Sequence, residues 1–234
     1  MTPVLVAACG TLGVALGCVI TVVTRSVAEE DPLLAQLRRR IAGDGWSSLV
    51  SPTPGWIPVL TGGLFAAMAA RFEGDAALPA FLVLAAGLVA LAVIDVRLFL
   101  LPNHVLYPAL VAVSSLLLVA AAVDDRWSDA RGAAIGGVAG FLAMLVIHLV
   151  NPAGLGFGDV RLSGLLGAAL GWLSLGRVVL GLFLGFLAAA LAGVVLIALG
   201  RKGGKDSLPF GPFLILGALV AIFAGEAFLD WYAV

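Results

Sequence analysis

The sequence predicts an all-α fold, a polytopic membrane bundle of about eight transmembrane helices, and three observations carry that prediction. The 234 residues are 62% hydrophobic and 12% charged, with a mean hydropathy of +1.15, well above the roughly 45–50% apolar content of soluble domains. The apolar residues fall in long runs between short charged or Pro/Gly-rich breaks, and one membrane crossing needs roughly 20 of them. The 30 glycines lie mostly inside those runs, where small side chains let membrane helices approach closely.

Taken in order, the runs give candidate spans at 3–24, 57–70, 78–94, 105–123, 132–150, 161–175, 178–199 and 210–230. No Lys or Arg precedes the first, which is unbroken, so it reads as a retained helix and not as a cleaved signal. The second and sixth are short for a full crossing. Alternating loops collect Arg25, Arg38, Arg39, Arg40, Arg97, Arg161, Arg201, Lys202 and Lys205 on one side, and only Arg71, Arg126, Arg131 and Arg177 on the other. The positive-inside rule makes the richer side cytoplasmic and puts both termini outside. Trp127, Trp172 and Trp231 then fall near the outer boundaries, where interfacial anchors are expected.

The chain accordingly divides into a first transmembrane helix at 1–24, a short cytoplasmic loop at 25–56 and a membrane-embedded core at 57–231. The loop has room for a surface helix near 32–41, but so few residues cannot build a second domain.

Several functions are excluded. A net charge of −1 and the lack of a basic stripe interleaved with aromatics argue against nucleic acid. The two cysteines, Cys9 and Cys18, sit inside the first run and offer neither a disulfide framework nor a zinc site. His104 and His148 stand singly, so no metal is expected, and both read as structural. Glu226 approaches the outer face and is expected to snorkel or pair with a polar neighbour.

Two cytoplasmic junctions carry the chemistry. One is Asp95, at the end of an apolar run, followed by Pro102 and Asn103. The other is Gly156-Phe157-Gly158-Asp159, followed by Val160 and Arg161. An Asp near a helix centre costs about 2.5–3.5 kcal/mol on insertion scales, so intramembrane carboxylates are read as functional by default. Gly156 and Gly158 would let the backbone before Asp159 take open or positive-φ conformations close to an extended substrate. Asp159 could also help cap the helix that follows it.

The Gly-Phe-Gly-Asp block with Val160 and Arg161 resembles the GxGD signature of the bacterial type IV prepilin peptidases. Asp95 with Pro102 and Asn103 is similar to that family's first aspartate motif. Pro209-Phe210-Gly211-Pro212 is similar to its Pro-Phe-Gly-Pro stretch ahead of the last helix. The order of the three motifs is also the family's.

The resemblance implies a GxGD aspartyl protease-like bundle with Asp95 and Asp159 as the catalytic pair. Gly156, Gly158, Pro102, Asn103, Arg161, Pro209, Gly211 and Pro212 would support them. It implies removal of the leader from type IV pilin-like or pseudopilin precursors at the cytoplasmic face of the bacterial inner membrane, after a Gly that precedes the substrate's hydrophobic helix. Two such carboxylates share a proton, one acting as base on water and the other as acid, with no cofactor. Many members also methylate the new N-terminus and carry four cysteines after their first helix. Here only Gly17, Cys18 and Arg25 echo that stretch and 25–56 contains no cysteine, so weak or absent methyl transfer is expected. The competing functions are a proton- or ion-coupled transporter, with the aspartates as midplane sites, and an inactive scaffold of pilus or secretion assembly.

Overall fold

A computed structural model describes residues 3–28, 56–98, 101–152, 154–199 and 209–232. They form eight helices, and no strand occurs among the described residues: α1 Pro3–Ala28, α2 Trp56–Arg71, α3 Leu78–Leu98, α4 Asn103–Asp124, α5 Trp127–Val150, α6 Phe157–Leu173, α7 Leu175–Ala198 and α8 Gly211–Tyr232. Six are long and apolar enough to cross a membrane, and the chain is a multi-pass membrane helix bundle. The surface helix expected near 32–41, Arg38, Arg39 and Arg40, and Arg201, Lys202 and Lys205 all lie outside the described residues.

The two short spans are again the second and sixth, with 16 and 17 residues, or about 24 and 26 Å at about 1.5 Å per residue. For α6 the physical reason is visible. Every residue from Asp159 to Trp172 is buried except Arg161, so α6 is sheathed by other helices and need not match the hydrocarbon thickness by itself. In contrast, α7 buries only Arg177, Val178, Gly181 and Gly185 and turns Val179, Phe183, Leu187 and Leu191 outward.

Glycine sets the closest helix crossing. Gly132, Gly136 and Gly140 of α5 recur every four residues, as do Ser163, Gly167 and Gly171 of α6, so each set forms one stripe. A Cβ on Gly167 would stand 2.2 Å from the Gly136 carbonyl oxygen, and one on Gly171 would stand 2.3 Å from that of Gly132. The backbones therefore touch directly, as small-residue membrane interfaces allow. The Ser163 hydroxyl lies within bonding distance of the Gly140 carbonyl across this seam, at 3.0 Å.

Charged residues expected to end helices are in some places part of them. The structure starts α5 at Trp127 rather than 132, because Asp129 sits in its first turn, where a carboxylate favours the helix N-terminus. Asp125 closes α4 with φ 54°, the left-handed region that Asp tolerates better than most residues. Arg126 then binds Asp129 at 2.6 Å and Asp75 at 2.8 Å. Burial works against the charge of Arg126, but these two carboxylates outweigh it and raise its pKa further.

Trp172 corrects one expectation. It is not an interfacial anchor: it is 1% exposed in the core, with the Arg126 guanidinium 5.0 Å from its ring centre. Trp127 and Trp231 are exposed as expected. Glu226 pairs with Arg71 at 3.1 Å and Arg177 at 3.2 Å, tying α2, α7 and α8 together.

Candidate active site

Asp95 and Asp159 come from different helices and are both buried, at 5% and 7% exposure. Leu101 links their surroundings, packing on Gly158 beside Asp159 and lying 3.6 Å from where a Cβ on Gly211, the donor to Asp95, would be. Among the described residues neither aspartate takes part in an ion pair. Asp95 stands on the last turn of α3, and Asp159 on the first turn of α6. The antiparallel course of the chain brings those turns to the same end of the bundle, opposite the Arg71, Arg126 and Arg177 pairs.

Asp95 is held from across the bundle. Its Oδ2 accepts the backbone N–H of Gly211 at 3.1 Å. Gly211 is the first residue of α8, so this N–H is one of the donors that a helix start leaves without an internal partner. A carboxylate placed there is further favoured by the helix dipole. A side chain here would press on the carboxylate, since a Cβ on Gly211 would lie 2.7 Å from Asp95 Oδ2. Pro212 follows at the second position of the helix, where an N–H would have no intrahelical acceptor, so its ring costs nothing. The Pro-Phe-Gly-Pro block thus touches the aspartate through Gly211, with Pro209 and Pro212 flanking that contact.

Asp159 is the third residue of α6, whose N-cap is Gly156. Its carboxylate folds back on that cap, and its Oδ2 would stand 3.3 Å from a Cβ on Gly156. An acid at this position also steadies the helix start, which is the part the capping expectation gives Asp159. Of the open or positive-φ backbone expected at the two glycines, Gly156 takes the open form, extended at φ −67° and ψ 146°, Gly158 is helical, and among the described glycines only Gly74 has positive φ. Gly158 serves close packing instead, because a Cβ there would be 2.9 Å from the Leu101 Cβ.

Leu101 is the residue that sequence reasoning missed. It lies between the two motifs, packed against Gly158 and 3.6 Å from where a Gly211 Cβ would be. An apolar residue in an apolar sequence gives no signal of such a place. Pro102, buried and extended at φ −70°, is the N-cap of α4, and Asn103 begins that helix.

Arg161 forms no ion pair with either carboxylate. It donates to Asn103 Oδ1 and lies 4.5 Å from the Phe157 ring centre and 5.6 Å from that of Tyr107. It therefore clamps α6 to α4. His148 takes the structural part expected of it, since its Nδ1 donates to the Leu155 carbonyl at 2.7 Å and holds the turn before α6. Exposed His104 makes no cluster with the aspartates, and among the described residues no three His, Cys, Asp or Glu side chains are grouped to hold a metal.

Comparison with known proteins gives one consistent result. The model of the type IV leader peptidase family matches residues 82–198, which include both aspartates. A prepilin leader peptidase/N-methyltransferase of Aeromonas hydrophila is 32% identical over 209 residues, 87% of this chain and 69% of the relative. That of Bacillus subtilis is 30% identical over 174 residues, 74% of this chain and 67% of the relative. That of Burkholderia pseudomallei is 34% identical over 180 residues, 74% of this chain but 55% of the relative. The chain spans a little over half the length of this last protein. No solved structure matches.

Proposed function

This chain belongs to the type IV leader peptidase family, and from that premise we propose that it is a membrane aspartyl endopeptidase in which Asp95 and Asp159 are the catalytic pair. Its substrates are type IV pilin-like or pseudopilin precursors. The cut falls after a Gly that precedes the precursor's hydrophobic helix, at the cytoplasmic face of the inner membrane. The single observation that carries the reading is the pair of buried carboxylates, one from α3 and one from α6, with no cation paired to them among the described residues.

Such a pair holds one proton between its members. The ionised carboxylate takes a proton from a bound water as the water oxygen bonds to the scissile carbonyl carbon. The protonated partner gives its proton to the developing oxyanion. Collapse of that intermediate breaks the C–N bond: the leaving nitrogen takes the proton that the first carboxylate drew from water, and a hydroxyl of the intermediate gives its proton to the partner carboxylate as the product carbonyl forms, freeing the amine and restoring the shared-proton pair. Gly156, Gly158, Pro102, Asn103, Arg161, Pro209, Gly211 and Pro212 act on geometry, keeping the ends of α3, α4, α6 and α8 in register around the pair. The core at 57–231 holds all of these groups, and 25–56 lacks the cysteines of a zinc site. Cleavage without a metal and with weak or absent methyl transfer follows.

Co-expression with a pilin-like precursor in a host lacking other prepilin peptidases tests the assignment. The parent chain should shorten the precursor and Asp159→Asn should leave it intact. Processing by the Asn variant would overturn the pair's role. The transporter alternative loses weight because both carboxylates lie at one end of the bundle instead of midway along it.

A further inference from the structure

A catalytic pair at one end of a membrane bundle leaves open where the apolar part of a substrate runs. Two clefts reach that end. The first, about 220 Å³, lies between α2, α3 and α8, and the second, about 410 Å³, between α4, α5 and α6. Both are almost wholly apolar, so burial alone does not choose between them. Helix register does.

Leu88, Val89, Ala92, Val93 and Val96 of α3 line the first cleft, and Asp95 continues the Leu88–Ala92 edge of that face at the same three- to four-residue spacing. Ile215 and Leu219 of α8 line it too, four and eight residues after Gly211, which donates to Asp95. Leu60 and Leu64 of α2 form the third wall. The first cleft therefore runs lengthwise along the bundle beside the Asp95–Gly211 hydrogen bond, although neither of those two residues lines it. Its volume suits the side chains along one stripe of a helix rather than a whole helix.

The second cleft is lined on α6 by Phe157, Arg161, Gly164 and Ala168, which share one stripe. Asp159 is two residues from both Phe157 and Arg161, so it faces about 200° away from them at about 100° per residue. That cleft abuts the catalytic helix but looks away from the carboxylate.

We propose that the cleft between α2, α3 and α8 seats the apolar helix of the precursor that follows its scissile bond, with the first turns of that helix against Leu60, Ala92 and Ile215. The inference rests on the peptidase reading, because the occupant must begin at the scissile carbonyl and continue as an apolar helix into the bilayer. The cleft passes beside the helix turn that carries one of the two carboxylates and continues along the bundle with wholly apolar walls, Trp56 and three valines among them, complementary to such a helix and to nothing charged.

Photo-crosslinking tests it without relying on turnover. A benzoylphenylalanine is placed at Leu60, Leu219 or Val138 of the full chain, the last in the second cleft. Each protein is reconstituted in phosphatidylethanolamine/phosphatidylglycerol vesicles with a synthetic precursor. That precursor has a basic leader, a Gly and an apolar helix of about 20 residues. Adducts from Leu60 and Leu219 should map to the first turns of the precursor's helix, and Val138 should give none. Precursor adducts from Val138 alone, adducts with lipid alone, or adducts joining two copies of the chain would overturn the proposal. Failure at Leu60 and Leu219 in a preparation that cleaves removes the cleft and leaves the peptidase reading intact. Adducts there in a preparation that never cleaves keep the cleft and remove the peptidase.

Kinetics supply a second readout. Leu60 is 52% exposed, so Leu60→Trp narrows the cleft without entering the core. It should raise KM about tenfold for the helix-bearing precursor with kcat within about twofold, the mark of lost uniform binding. A peptide ending shortly after the scissile bond should be cleaved as by the parent. An equal change for both substrates would contradict the proposal.

Discussion

The two ends of the bundle handle charge in opposite ways. At one end Asp75, Asp129 and Glu226 each meet an arginine within 3.2 Å, and all of those pairs except the local Arg126–Asp129 join segments distant in sequence. At the other, Asp95 and Asp159 are more deeply buried than any of those carboxylates, and among the described residues no cation pairs with them. The contrast does not come from a shortage of positive charge. Arg161 is two residues from Asp159, yet helical geometry turns it outward to Asn103, Phe157 and Tyr107. Pairing neutralises a carboxylate and makes it a fastener, whereas withholding the cation keeps it available to exchange a proton. Its burial cost is then met by a helix N-terminus, through Gly211 for Asp95 and through the first turn of α6 for Asp159.

That contrast predicts a graded response to substitution. The largest effect belongs to Asp95→Asn, which should lower cleavage by at least about 10³-fold while the protein stays inserted and abundant, measured by precursor processing beside a membrane-fraction blot. Full processing would place Asp95 among the fasteners.

Gly211→Ala comes next. The added methyl would meet Asp95 Oδ2 at 2.7 Å, so the carboxylate or the start of α8 must shift. Because misplacement of about 1 Å can cost about 10²-fold in rate, cleavage should fall by about 10- to 100-fold in kcat with little change in KM. Unchanged kcat would mean that the Gly211 contact does not position the aspartate.

Arg161→Gln removes a clamp, not a reacting group. Losing one charge-assisted hydrogen bond and the ring contacts should cost about 1–2 kcal/mol of stability, read as a lower melting temperature in detergent. Cleavage per folded molecule should fall by less than about tenfold. Loss on the scale of Asp95→Asn would instead give Arg161 a part in the chemistry.

Glu226→Gln, at the paired end, should be mildest. The Glu226 side chain is 68% exposed, so solvent screens its pairs and the loss should stay within about 1 kcal/mol, with cleavage unchanged. A large loss of activity there would abolish the distinction between the two ends.

The sequence was legible wherever residue type and position both carried the message. Long apolar runs gave the helices, because lipid demands length and apolarity together, and even the two short helices were visible as short runs. Asp95 and Asp159 were legible because carboxylates are rare inside such runs, and Gly211 because its motif names the position. What escaped depends on direction. Trp172 lay near a boundary in sequence, yet the burial of α6 on all sides puts it in the core. Arg161 could have faced Asp159 or turned away, a matter of 200° around a helix that no motif states. Leu101 was invisible because one leucine among many carries no mark of the backbone beside it, and the Gly158 packing was misread as backbone freedom for the same reason.

One measurement bears most directly on the claim that the unpaired end works as a unit: initial cleavage rates for Asp95→Asn, Asp159→Asn and the double variant on a single precursor at matched membrane abundance. If the two carboxylates share one proton, either substitution already destroys the pair, and the double variant should cleave no more slowly than the singles, within about threefold. Multiplying losses, with each single variant retaining measurable activity and the double far lower than both, would mean two independent groups and would contradict a shared-proton pair.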